Sequence, residues 1–238
     1  MNKLLQFALA SFVFVAPIVQ AHQVWIEHEG KTATLQFGEF ADNLRETSPG
    51  LLDKFVAPTA TLLTKDGERA LKLDKTPQGF VLSGTAATGE SIVVEEANYP
   101  IFETNRDGKV TRTVWTPAAR YVTDFAERQP KLTFDIVPAG QPGQFKVFYK
   151  GQPAPKVKVS AVIPSGWTKE ATSSEQGLVG FELPWSGAYV IEAHFTDKAS
   201  GERDGKPFDT ASFVTSLSFV QPKGIAAVPA GPAAAPGK

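Results

Sequence analysis

The chain has 238 residues, a formal net charge of −1 and no block of like charge, a balance that argues against nucleic acid and a charged membrane surface as partners. It has no cysteine, and its sole methionine is Met1. Disulfides, a lipid-anchoring cysteine and thiolate or thioether metal sites are therefore excluded, and any transition-metal site must use nitrogen and oxygen.

In chain order, Lys3 precedes an apolar run from Leu4 to Val19, broken by Gln6 and Pro17, and Val19-x-Ala21 puts small residues before a cut. That is the pattern of a secretory signal peptide over residues 1–21. The run is short for a membrane span of about 20 apolar residues, and no second one follows. Cleavage after Ala21 leaves His22 in front. A terminal histidine offers its α-amine and its imidazole, which together close a chelate ring on a metal; the alternative is that processing merely leaves a histidine there.

From His22 onward the pattern becomes period two, the signature of half-buried strands. His22, Val24, Ile26 and His28 alternate with Gln23, Trp25, Glu27 and Glu29, and Gly30 ends the strand. Thr32 to Phe37 completes a hairpin. Gly38 to Thr47 is polar, with Glu39, Asp42 and Glu46 close together, and Ser48-Pro49 opens a short helix through Phe55. Short strands follow, with turns at Asp66-Gly67 and Asp107-Gly108. Two of them, Val110 to Trp115 and Arg120 to Phe125, are separated by Thr116-Pro117.

Charge and proline interrupt the rhythm between Ala126 and Lys131, and seven strand-like runs lie between Leu132 and Val220. This spacing predicts an all-β chain of two β-sandwich domains. Residues 22–127 form an N-terminal β-rich domain, and residues 131–221 a second sandwich, immunoglobulin-like or transthyretin-like, with about seven strands. Residues 222–238 are nearly all Ala, Pro and Gly and are expected to be disordered.

The second sandwich carries Gly151-Gln152-Pro153-Ala154-Pro155-x-Val157-x-Val159, Trp167-x-x-Glu170-Ala171-Thr172, Gln176-Gly177 and Phe181-x-Leu183-Pro184-Trp185-x-Gly187-x-Tyr189. This order resembles the small sandwich domains likened to carboxypeptidase regulatory modules. With the His22-x-x-Trp25 opening, most of residues 22–221 is similar to a bacterial periplasmic domain-of-unknown-function family associated with the substrate-specific component of nickel or cobalt uptake. The resemblance implies a periplasmic protein that handles a divalent transition metal beside a membrane importer. Without spanning helices, the part played here is that of a soluble accessory.

Only three histidines are available. His22 and His28 are six residues apart on one strand, roughly 20 Å, too far to share an ion. In Tyr189-Val190-Ile191-Glu192-Ala193-His194-Phe195 the odd-numbered side chains are expected in the core, turning Glu192 and His194 outward. His194 is either an exposed or interdomain hydrogen-bonding residue or, if the first strand lies across this face, a ligand beside His22. Amine and two rings would then suit copper, or nickel or cobalt with water, and Glu192 would orient or join the ligands; its alternative is a solvated strand residue. His28 is expected on the surface, and the Glu39, Asp42, Glu46 cluster is expected to be a solvated loop or a hard-cation site. The four tryptophans are core residues or a sugar platform.

No G-x-S-x-G elbow, phosphate-binding glycine loop or paired-histidine zinc motif is present. The chain is therefore not expected to be an enzyme, with a copper histidine-brace monooxygenase the one class left open. A metal-free interaction module is the other alternative.

Overall fold

The computed structural model describes residues 22–237, so the signal-peptide reading of residues 1–21 lies outside the described residues. Those residues are all-β, with one turn of 3-10 helix, Leu51–Lys54, and no α-helix among them. The turn replaces the expected helix from Ser48. Gly50, not Ser48, precedes it, and the Asp53 carboxylate holds it by accepting from the Gly50 N–H at 2.9 Å and the Ser48 hydroxyl at 2.7 Å. No described helix is long and apolar enough to cross a membrane.

A ten-stranded sheet runs through the molecule. Its main path is Thr168–Thr172, Lys158–Val162, Trp185–Asp197, Thr210–Gln221, Lys109–Val122, Ser91–Glu95, Thr59–Thr64 and Gly67–Leu71. At its centre Lys109–Val122 pairs in parallel with Thr210–Gln221, so strands from both halves of the chain share one ladder. Lys109–Val122 is a single strand where two were expected. Pro117 does not break it because, on the opposite edge, the strand pairs with Phe102–Arg106 up to Thr113 and with Ser91–Glu95 only from Ala118. Pro117 falls in the gap between them, where a missing N–H costs little. Asp107 and Gly108 both have positive φ, as a two-residue hairpin turn requires.

Two smaller sheets cover opposite faces of this one. Along Thr210–Gln221, Phe213, Leu217 and Phe219 enter one core and Val214 enters the other. The first core lies under the sheet of Gln23–Glu29, Thr32–Glu39, Gly79–Leu82 and Leu73–Thr76. The second lies under the sheet of Phe134–Pro138, Gln144–Tyr149, Gln152–Pro153 and Leu178–Gly180.

The first strand is laid across the large sheet by two serines. Ser216 and Ser218 donate their hydroxyls to the carbonyls of Val24 and Ile26 at 2.6 and 2.7 Å. Val24 and Ile26 join the first core, and Trp25, fully buried, packs with Phe40, Val162 and Val190. The strand thus has both faces covered, and its start is carried to the face that displays Glu192 and His194.

The tail is a correction to the sequence reading. Ile225–Ala226 pairs in parallel with Trp185 and Ser186, Ala234 bridges to Leu44, and Asn43 donates its amide to the Gly231 carbonyl at 2.8 Å. Gly237 donates its N–H to Glu46 Oε2 at 2.8 Å. The composition argument fails here because the segment is held through its backbone. It needs no apolar core of its own, only edges and polar groups left open by other elements.

Candidate functional site

The hairpin of Gln23–Glu29 and Thr32–Glu39 sets the site through its register. Gln23 pairs with Gly38, so one step further His22 faces Glu39. The parity of each strand does the rest. His22 continues the inward series of Val24 and Ile26, and Glu39 continues that of Ala33, Leu35 and Phe37, all core residues. Two ionisable side chains therefore close an apolar row. Glu46 joins them after the chain turns back through Leu44–Arg45, its N–H bonded to the Phe37 carbonyl at 2.8 Å.

His22 is held by carboxylates at both ring nitrogens. Nε2 donates to Glu46 Oε1 at 2.6 Å, and Nδ1 lies 3.5 Å from Glu39 Oε1. Glu46 is almost fully buried, and its second oxygen accepts from Gly237. With Nε2–H committed to Glu46, Nδ1 of a neutral ring carries a lone pair and points it at Glu39 Oε1, which has no hydrogen-bond partner. Two acceptors facing each other need a proton or a cation between them. Burial foremost, with Asp42 and Glu46 adding to it and His22 opposing, holds the Glu39 carboxyl above its ordinary value.

Glu192 adds to this excess of acid. Burial pushes its carboxyl up to about 7, the Gln23 side chain opposes the shift and Glu39 reinforces it. Its Oε2 is buried without a partner. The expectation that Glu192 is a solvated strand residue does not hold, because the first strand covers it. His194, on the same face of Trp185–Asp197, shares with His22 the wall of a cavity of about 410 Å³. Surrounding protein pushes the His194 pKa down although the ring stays open to the cavity.

Among the described residues no three His, Cys, Asp or Glu side chains are grouped to hold a metal ion. Side chains alone supply a pair of facing atoms, Nδ1 and Oε1, and a further ligand has to come from elsewhere. Nδ1 and Oε1 stand 3.5 Å apart, close to the roughly 3.4 Å between two ligand atoms on a tetrahedral ion; cis ligands of square-planar or octahedral nickel or copper stand about 3.0 Å apart, so those ions would draw the two side chains together by about half an ångström. The Glu46 carboxylate behind Nε2 has the geometry that orients a metal-bound imidazole.

Two expectations are corrected. Glu39 and Glu46 do not belong to a solvated loop; the inward parity of Glu39 with Leu35 and Phe37 is the signal that marks it. His28 is not a free surface residue either. It stacks on Tyr121 with centroids 5.2 Å apart, and its Nε2 is buried, because the first strand lies against Lys109–Val122. Trp25 and Trp115 are buried core residues, while Trp167 and Trp185 are half-buried partners 6.3 Å apart. In comparisons with known proteins, no family model and no curated protein matches the chain.

Proposed function

We propose that the protein binds one divalent transition metal ion, nickel, cobalt or copper, as cargo at its mature N-terminus, as a soluble periplasmic accessory to metal uptake or homeostasis. The observation that carries this reading is the gap between His22 Nδ1 and Glu39 Oε1, 3.5 Å wide and lined by an excess of carboxylate. Cleavage after Ala21 adds the α-amine, which closes a six-membered chelate ring with Nδ1. The donor set is then amine, imidazole and carboxylate, a borderline nitrogen and oxygen set suited to these ions. Glu46 orients the ring, Glu192 supplies a buried carboxyl beside Glu39 that gives up its proton near pH 7, and His194 is a further nitrogen on the cavity that His22 lines.

Titration of nickel, cobalt and copper into the chain beginning at His22 tests the reading. One ion per chain is expected, with His22→Ala and Glu39→Gln each weakening it more than about tenfold. Unchanged affinity in both variants would sink it. The shared His22 and His194 wall also admits a copper histidine-brace oxidoreductase, for which copper, dioxygen and a reductant would have to yield an oxidised polysaccharide and water.

A further inference from the structure

The cavity in front of His22 differs in character from the groups behind it. Glu39, Glu46 and Glu192 do not line it. Its walls are Phe37, Tyr99, Phe102 and Trp115, with Lys54 and His194 among the polar groups. Tyr99 meets Trp115 edge to face at 4.6 Å, and Phe37 lies 5.9 Å from Trp115, so the aromatic wall is packed in place. Phe102, 39 % exposed, comes from the hairpin of Phe102–Arg106 and Lys109–Val122. Among the described residues the Lys54 ammonium makes no ion pair.

A hydrated ion is a poor occupant for such a space. At about 30 Å³ per water, 410 Å³ exceeds a six-water shell by a factor of about two, and the aromatic walls offer those waters few hydrogen-bond partners. The volume falls in the range of sites for small organic molecules, roughly 300–1,000 Å³. Aromatic faces suit a planar ring, and a free ammonium suits a carboxylate. Burial and the Glu46 charge push the Tyr99 phenol up to about 12, so it remains a hydrogen-bond donor.

Building on the metal reading above, we infer that the cargo is taken as a complex with a small planar organic carboxylate, the ion held by His22 and Glu39 and its chelator by the aromatic cavity and Lys54. The inner acid wall takes the cation, and the outer wall takes what accompanies it.

Equilibrium dialysis of the chain beginning at His22 against Ni(II) alone, pyridine-2-carboxylate alone and their one-to-one complex tests this, counting retained carboxylate as well as nickel. The complex should bind at least about tenfold more tightly than the bare ion, with nickel and carboxylate retained together. Phe102→Ala and Lys54→Gln, both at accessible positions, should each remove most of that advantage and leave bare-ion affinity unchanged. If bare nickel binds and the complex is no tighter, or nickel is retained without carboxylate, the inference fails and the metal site stands. An advantage that survives both substitutions also overturns it. If neither bare ion nor complex binds, the metal reading fails with it.

Discussion

Two clusters of buried charge lie in this molecule, and they are built on opposite terms. Arg120 and Asp135, both fully buried, make a two-point pair, Nε to Oδ1 at 3.0 Å and Nη2 to Oδ2 at 2.6 Å. The Lys131 and Leu132 N–H groups add to Asp135 Oδ2 at 2.7 and 3.1 Å, and Nη1 reaches Ser91 at 3.4 Å. Charge and hydrogen-bonding capacity are matched, and the pair ties the large sheet to the strand Phe134–Pro138. Around His22 two carboxylates, Glu39 and Glu46, flank one imidazole, with Glu192 close enough to Glu39 to feel its charge, and one oxygen each of Glu39 and Glu192 is buried without a partner. A balanced pair does architectural work, whereas an unbalanced cluster that the fold nevertheless maintains is what a ligand completes.

If that contrast is right, the two clusters respond differently to mutation. The largest effect is expected at the balanced pair. Asp135→Ala leaves a buried guanidinium uncompensated and should cost about 3–5 kcal/mol in denaturant unfolding, while replacing both partners with apolar residues of similar volume recovers most of the loss. A double variant as unstable as the single one would remove the contrast.

Glu192→Gln should do the reverse. Folded, Glu192 keeps its proton up to about pH 7, against an ordinary value of 4.5. Its contribution to stability is present below about pH 4.5 and is lost as pH rises through about 7, where the folded chain must bury a charge. The variant should therefore be more stable than wild type at pH 8, by on the order of 2–3 kcal/mol, with little difference in acid. Equal stability at both pH values would mean that Glu192 is not strained by burial.

Glu46→Gln should leave the fold in place and weaken the bound ion by roughly 10- to 100-fold, the size of effect seen when the partner of a metal-bound histidine is lost. The smallest effect is expected from removing residues 237–238. The Gly237 bond to Glu46 goes, at about 1 kcal/mol, and hydrogen exchange at the start of the first strand should rise. No change there would show that the tail does not brace the site.

Much of this architecture is legible in the alternation of residues. The all-β class, the hairpins at Asp66-Gly67 and Asp107-Gly108, and the inward set Tyr189, Ile191 and Ala193 follow from period two and turn chemistry, as does the turning of Glu192 and His194 to the other face. Long-range pairing is not legible in that way. Nothing local announces that Lys109–Val122 lies parallel to Thr210–Gln221, so the shared sheet, the covering of Glu192 and the stacking of His28 on Tyr121 go unseen. Glu39 was within reach, since extending the Thr32 to Phe37 alternation by two residues turns it inward. Glu46 and the tail were not, because backbone contacts between distant segments leave no compositional trace.

Under the proposed function, the unbalanced cluster is completed by a metal held through the α-amine and ring of His22. Paired calorimetric titrations of two chains, one starting at His22 and one retaining Ala21, test it most directly. A single tight site is expected in the first and should be lost in the second, because acylation removes the amine. Equal affinity in the two chains, or none in either, would contradict it.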